Sequence, residues 1–407
     1  MNQERPLHFQ PKSKDQRIEF LDILRGIAVL FIYAANIVFF SGYLNFPEEY
    51  SLSWTLLPTD LVLGFLNYTL IDGKFYTIFS LLFGIGCMVQ YQSALAQHKA
   101  FAPFFRRRMF WLLILGSIHL ILVWWGDILT LYAILGFVLI RFIDFSDKKL
   151  LRLAGVLLML PIVNWSFVHF SGFDYFDVFR RWATEYWEYF GFPIAEWDGK
   201  QSPDMRYLFE NTSISDFFIM NIGNSLLRIN QLLEDGRVFK VLGIFLIGLV
   251  AGRHMLKEEL LQNTVLLKKI AYWGIGIGLP FSVFRTFIDF MLRYNSDFWS
   301  FMATVTYALG TVPMALGYSS LLVLMYQKRA KLLRYFAPVG RMAFTNYIFQ
   351  TVISIVLFYG IGFNLAGKFG FSFVMGFCGI IFLTQIAFSR WWLSKYRFGP
   401  LEWVWRS

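Results

Sequence analysis

Long apolar runs, broken by short and mostly basic polar segments, organise this chain. A helix needs roughly 20 apolar residues to cross hydrocarbon. Ten stretches come close: about 23–43, 73–92, 109–126, 127–143, 149–169, 237–256, 269–290, 299–326, 338–360 and 371–393. The pattern predicts an all-α fold, a polytopic transmembrane helix bundle of about ten spans. The stretch "LLPTDLVLGFLNYTLI" (56–71) is too short, and too polar at Asp60 and Asn67, for a crossing. It is assigned to the outer interface or to a re-entrant piece. A polar tail (1–22) precedes a single transmembrane domain (23–393), and an interfacial tail (394–407) follows it. The first apolar span runs into an aromatic, acidic loop with no small-residue cleavage site, so it is read as a retained helix and not a removed signal peptide.

Charge placement orients the bundle. With the N-terminus inside, segments 1–22, 92–108, 141–152, 253–269, 327–341 and 390–407 carry 25 of the 37 Lys and Arg residues. The outer segment 44–72 carries none, and 361–370 carries only Lys368. Basic residues favour the cytoplasmic side, so both termini are expected there. Making 56–71 a full span would put Arg106 to Arg108 outside.

One long connection, about 170–236, is expected to be external. Its start repeats aromatics at helical spacing: Phe176, Phe179, Trp182, Tyr186 and Tyr189. This predicts an amphipathic helix lying in the headgroup region, with an aromatic lid over a sugar or lipid acceptor as the alternative. The following "PIAEWDGKQSPDMR" is loop-like by its Pro, Gly and Asp content. Gly248/Gly252 and Gly274/Gly278 lie four apart in apolar helices, which predicts close helix packing. No internal repeat is evident.

Composition agrees. The chain is 57% hydrophobic and 16% charged, against about 45–50% and about 25% in soluble domains. The net charge of +10 sits in clusters between apolar spans, so it is assigned to inside loops and nucleic acid is excluded as a partner. Cys87 and Cys378 fall in apolar spans, so neither a disulfide framework nor a metal site is expected. The cell membrane, as a multi-pass protein, is the expected location and the bilayer the expected partner.

Few polar residues remain at depth to carry chemistry. His119 in "GSIHLILVWWGDILTLYAILG" lies roughly 16 Å from Arg108 along a helix. A polar group in hydrocarbon is costly unless paired, so His119 should face the bundle or a wet cavity. It is then an interhelical hydrogen-bonding residue or a general base, since imidazole titrates near neutrality. Asp127 is either an N-cap or a carboxylate at the outer mouth of a cavity. Eight helical residues would separate the two by roughly 12 Å, so a dyad is not expected. Asp22 and Arg25 share a face at the start of the first helix, as an ion pair or an anion site. Asn36 lies deeper on that helix. Lys74 begins the second span and is expected to snorkel. Arg341 and Asn346 repeat the motif of a basic residue followed by a polar one at depth.

The stretches "LDILRGIAVLFIYAANI", "GKFYTIFSLLFGIG", "RRMFWLLILGSIHLILVWWGDILTLYAILG", "LGIFLIGLVAGR", "VGRMAFTNYIFQ" and "RFGPLEWVWRS" together resemble the YeiB-like family, a domain-of-unknown-function family. That family resembles a wider group of transmembrane acyltransferases, which includes acyltransferase-three O-acetylases and heparan-alpha-glucosaminide N-acetyltransferase. Their shared Asp-x-x-Arg-Gly opening is matched by Asp22, Arg25 and Gly26. The resemblance implies transfer of an acyl unit, possibly acetyl, from acyl-CoA to an envelope or extracellular acceptor. In the O-acetylases a catalytic histidine stands fourteen residues after the Asp, and here that position is Asn36.

The expected function is therefore acyl-CoA-dependent acyl transfer to a hydroxyl or amine, without a metal. Arg25, Arg108 and Arg341 would hold the CoA phosphates and Asp22 would set Arg25. His119 would act as base, with Asn36 or Asn346 steadying the oxyanion. Asp127, Lys74, Trp124 and Trp125 would hold the acceptor. A small-solute permease with a His119/Asp127 proton relay and a non-catalytic membrane scaffold are the alternatives.

Overall fold

The computed structural model describes residues 19–43, 58–197, 199–256, 259–292 and 296–406. The expectations placed on 1–18 (including His8) and on the acidic segment with Glu48 and Glu49 lie outside these residues. The structure is an all-α bundle with one short hairpin. Its first half holds α1 (Glu19–Phe40), α2 (Asp60–Leu70), α3 (Lys74–Ala96), α4 (Phe101–Ile118), α5 (Leu129–Leu139) and α6 (Asp147–Ser171). A cap follows, made of α7 (Asp177–Tyr189), β1 (Ile194–Trp197), β2 (Lys200–Pro203) and α8 (Met205–Glu210). The chain then runs through α9 (Ile214–Glu234), α10 (Arg237–Leu256), α11 (Glu259–Gln262), α12 (Thr264–Phe287) and α13 (Asp297–Leu333). It ends with α14 (Ala337–Arg341), α15 (Ala343–Phe358), α16 (Phe371–Lys395) and α17 (Pro400–Arg406).

Among the described residues, seven helical segments are long and apolar enough to cross a membrane by length and composition. All ten predicted stretches contain helix, but three fall short of that standard. The segments Leu129–Phe142 and Ala343–Phe358 are apolar but short, and α4 carries Arg106, Arg107 and Arg108 within its 18 residues. The 56–71 stretch yields the 11-residue α2, with Asp60 and Asn67 buried against the bundle and Leu61, Val62 and Leu66 exposed.

Glycines let the long helices approach closely, as their spacing predicts. A Cβ on Gly248 would lie 2.5 Å from the Leu81 carbonyl oxygen, and one on Gly274 would lie 2.5 Å from that of Pro313. α10 therefore crosses α3 with backbones nearly touching, and α12 crosses α13 in the same way. Such contacts replace the hydrophobic drive that is weak between helices in lipid. Cys87 and Cys378 are buried and unbridged. The C-terminal helix is docked: buried Glu402 accepts the Phe344 and Thr345 N–H groups at 2.8 and 3.0 Å. It thereby satisfies donors left open at the start of α15.

The 170–236 connection is more ordered than its sequence suggests. The amphipathic helix is present as α7, but its aromatic stripe is split. Phe176 is buried, whereas Trp182 and Tyr189 stay exposed. The helix turns Trp187, which the stripe omitted, inward against α9. The loop-like middle forms a hairpin with Ile194 opposite Pro203. The rest includes the 21-residue α9, which the sequence reading missed.

Candidate functional site: a charged cavity beside a buried His–Asp pair

The Asp-x-x-Arg-Gly opening has a physical reading. A Cβ on Gly26 would fall 2.1 Å from the Phe336 carbonyl oxygen, and one on Gly340 would fall 1.8 Å from that of Asp22. Only glycines let α1 seat against α14 this closely, and the contact places Arg25 and Arg341 at one mouth of a cavity. That cavity has a volume of about 2360 Å³.

The basic end of the cavity is lined by Arg25, Arg107, Arg108, Arg334, Arg341 and Arg397. Asp22 accepts from Arg25 at 3.2 Å, and Gln90 accepts from Arg108 at 2.6 Å. Arg341 donates to the Arg397 carbonyl at 3.3 Å. The distal end is lined by Asp72, Tyr76, Tyr307, Glu234, Asp235 and Arg237. Gln90 and Tyr76 both line the cavity from α3, and the helical rise between them spans about 21 Å. The cavity is thus long enough to reach most of the way through hydrocarbon.

His119 and Asp127 flank the wall of this cavity. α4 widens at His119–Val123 into a π-turn, closed by Trp124 N–H to the His119 carbonyl at 2.8 Å. Trp124 is then extended (φ −157°, ψ 121°), and the chain turns back at Gly126 into α5. The fold-back overturns the straight-helix separation: His119 Nδ1 lies 3.0 Å from Asp127 Oδ1. The two are a buried pair after all. Asp127 Oδ2 accepts the Thr130 N–H at 2.8 Å, so the residue also caps α5. His119 Nε2 lies 3.2 Å from Thr351 Oγ1. A carboxylate fixes Nδ1 as the protonated nitrogen, which leaves Nε2 to accept from the Thr351 hydroxyl. The imidazole does not itself line the cavity. Tyr347 and Trp124 do, with ring centroids 5.3 and 6.4 Å from it.

Of the other predicted residues, Asp22, Arg25, Asn36, Arg108, Trp124, Trp125 and Arg341 all line the cavity. Asn346 does not. It is buried in a helix interface, where its side chain donates to the Val339 carbonyl at 3.2 Å and to Ser389 Oγ at 3.0 Å. Lys74 does not snorkel. It is 2% exposed, and its ammonium donates to the Tyr68 carbonyl at 3.1 Å, because α2 folds back over the start of α3. Neither residue is placed with His119.

Arg228 on α9 was missed. Its Nε donates to the Asp127 carbonyl at 3.1 Å and it lines the cavity, so it braces the turn that carries the aspartate. A signal for α9 existed. Ser213 accepts the Asp216 N–H as an N-cap, and Gly236 at φ +58° follows the helix, a start and stop pair of the expected kind. Among the described residues no three His, Cys, Asp or Glu side chains form a metal-holding group.

Residues 251–407 match a family model described as a protein of unknown function, DUF418. The uncharacterized protein YxaH of Bacillus subtilis (strain 168) is 30% identical to this chain, over 98% of this chain and 95% of its own length. The uncharacterized protein YeiB of Escherichia coli (strain K12) is 29% identical over 95% and 94%. An uncharacterized 39.9 kDa protein of Bacillus acidopullulyticus is 28% identical over 97% and 94%. No solved structure matches. The likeness runs along nearly the whole length of each relative, so the chain belongs to the YeiB-like family of unknown function.

Proposed function

We propose that the protein transfers an acyl group from acyl-CoA, held at the basic end of the cavity, to an acceptor entering from the distal end. The observation that carries this reading is the shape and charge of the cavity. It is one continuous passage whose basic end gathers six arginines and whose middle is walled by the residues that cover His119. Guanidinium forks suit phosphate oxygens, and the opposite charge balance at the distal end keeps the polyanionic donor at the basic end.

Arg25, Arg108 and Arg341 hold the phosphates, and Asp22 fixes Arg25 against helix α1. The acyl arm follows the apolar wall toward Trp124 and Tyr347. Asn36, which also lines this cavity, is positioned to donate to the developing oxyanion; Asn346 no longer has that role. His119 would act as a general base, with Asp127 orienting the ring through Nδ1 and Nε2 as the accepting nitrogen. To take the acceptor's proton it must exchange Thr351 for the acceptor, so Tyr347 or Trp124 has to swing aside.

The test is acyl-CoA binding and transfer by the purified full-length protein. Saturable binding of acetyl-CoA is expected to weaken at least about tenfold in Arg25→Ala, the loss of a charge-assisted phosphate contact. His119→Gln should keep binding and lose transfer. Absence of saturable binding in the parent protein would sink the reading.

A second reading, a small-solute permease, is favoured by one observation: both ring nitrogens of His119 are occupied by side chains, and the ring lies behind the wall. Uptake into proteoliposomes without acyl-CoA would establish it.

A further inference from the structure

The charges at the distal end of the cavity do not cancel against one another. Arg237 pairs with Asp235, yet its Nε is buried without a hydrogen-bond partner. Arg228 is only 7% exposed and gives its hydrogen bonds to neutral acceptors alone. These are the Asp127 carbonyl at 3.1 Å, and the Gly126 carbonyl and Gln231 side chain at 3.4 Å each. Two of these contacts are long for N–H···O bonds. A buried cation without a carboxylate at ion-pair distance carries an unrecovered desolvation cost. In the same chamber the Glu234 carboxylate has no hydrogen bond or ion pair among the described residues; the Asp72 carboxylate has none either, but it lies in the field of Lys74, Lys240 and Arg237.

A chamber that leaves one guanidinium, Arg228, and one carboxylate, Glu234, without a paired partner, both facing one cavity, selects for a ligand carrying both signs. A bare dianion would meet the unpaired Glu234 carboxylate beside Asp235. A bare cation would leave Arg228 unneutralised, and a neutral molecule would desolvate both sets without pairing either. We propose that the distal chamber binds a zwitterionic amine–carboxylate, with its carboxylate on Arg228 and its ammonium on Glu234. Tyr76, Tyr307 and Trp125 line the same cavity and give the rest of the molecule aromatic surface to pack against. The inference does not depend on which functional reading holds: the zwitterion is the acceptor in one and the cargo in the other.

Three matched probes test it on the full-length protein in detergent without acyl-CoA: phenylalanine, phenethylamine and 3-phenylpropionate. They share an aromatic ring and carry both charges, only the ammonium, or only the carboxylate. Calorimetric titration should show phenylalanine binding at least about tenfold tighter than either analogue, as expected when one charged contact is lost. Arg228→Gln should bring phenylalanine down to the level of phenethylamine, with Arg228→Lys intermediate. Glu234→Gln should bring it toward the level of 3-phenylpropionate. Because the Glu234 carboxylate has no hydrogen-bond partner, that variant stays informative should the Arg228 variants fail to fold. Equal binding of the three probes to the parent protein, or binding of none, overturns the proposal.

Discussion

Two polar clusters lie buried in this apolar bundle, and they are built in opposite ways. Asn346, Gln350, Gln385 and Ser389 join α15 to α16 through regular helix. Gln350 donates to Gln385 at 2.9 Å, Gln385 donates to the Asn346 carbonyl at 2.9 Å, and Asn346 donates to Ser389. Every bond is internal and neutral, and none of these residues lines the cavity. The His119–Asp127–Thr351 cluster needs a broken helix, contains a carboxylate, and lies behind a cavity wall that includes Tyr347 and Trp124. Regular helix suffices to satisfy buried amides. Interrupting α4 after His119 costs backbone regularity and brings an imidazole–carboxylate pair beside a ligand-sized space.

The comparison can be broken most severely at Asp127. Asp127→Ala strips the acceptor from His119 and from the Thr130 N–H together, and a loss of about 3–5 kcal/mol is expected for one partner of a buried pair. Thermal unfolding in detergent measures it, and an unchanged melting temperature would show that the pair does not hold the turn. A smaller loss is expected at the neutral cluster. Asn346→Leu takes away the donor to Ser389 and one of the two donors to the Val339 carbonyl, at about 1–3 kcal/mol, while acetyl-CoA binding stays unchanged. Weakened binding in that variant would mean the α15–α16 cluster communicates with the cavity.

The smallest effect should come from the surface pairs of the cap. Partial burial pushes the Asp177 carboxyl up, but its hydrogen bond from Arg180 and the charges of Arg180, Lys200 and Arg181 prevail, so it lies below the ordinary carboxylate range. Asp204 is likewise held down by Arg206 against its burial. A carboxyl lowered in the fold adds stability above its ordinary value near 4 and loses it as pH falls through the lowered one. Amide exchange over 174–206, corrected for intrinsic rate, should therefore quicken selectively toward about pH 3. Uniform behaviour of cap and bundle would mean these pairs contribute nothing.

Helix positions were legible in the sequence because apolar length and glycine spacing are local properties. Asp22, Arg25, Asn36, Arg108 and Arg341 could be singled out for the same reason: a polar residue in an apolar run stands out. What they surround was not legible. Whether Asn346 meets a cavity or a neighbouring helix depends on which helix lies opposite. The cost argument that turns a polar side chain inward applies to both equally. Helix α9 escaped because its buried stripe is polar: Asn221, Asn224 and Arg228 are all buried, so hydropathy assigned it to solvent. The approach of His119 to Asp127 escaped because helical rise assumes a helix that continues, and the chain leaves it at Trp124.

The five-residue π-turn at His119–Val123 also makes the pair sensitive to chain length. A turn of this kind holds one residue more than an α-turn. Deleting any single residue within it would let ordinary helix close up and shorten the connection between the two side chains by one residue. Asp127 would then swing off the imidazole with the chemistry of both side chains intact, so the number of residues between them matters as much as their identity.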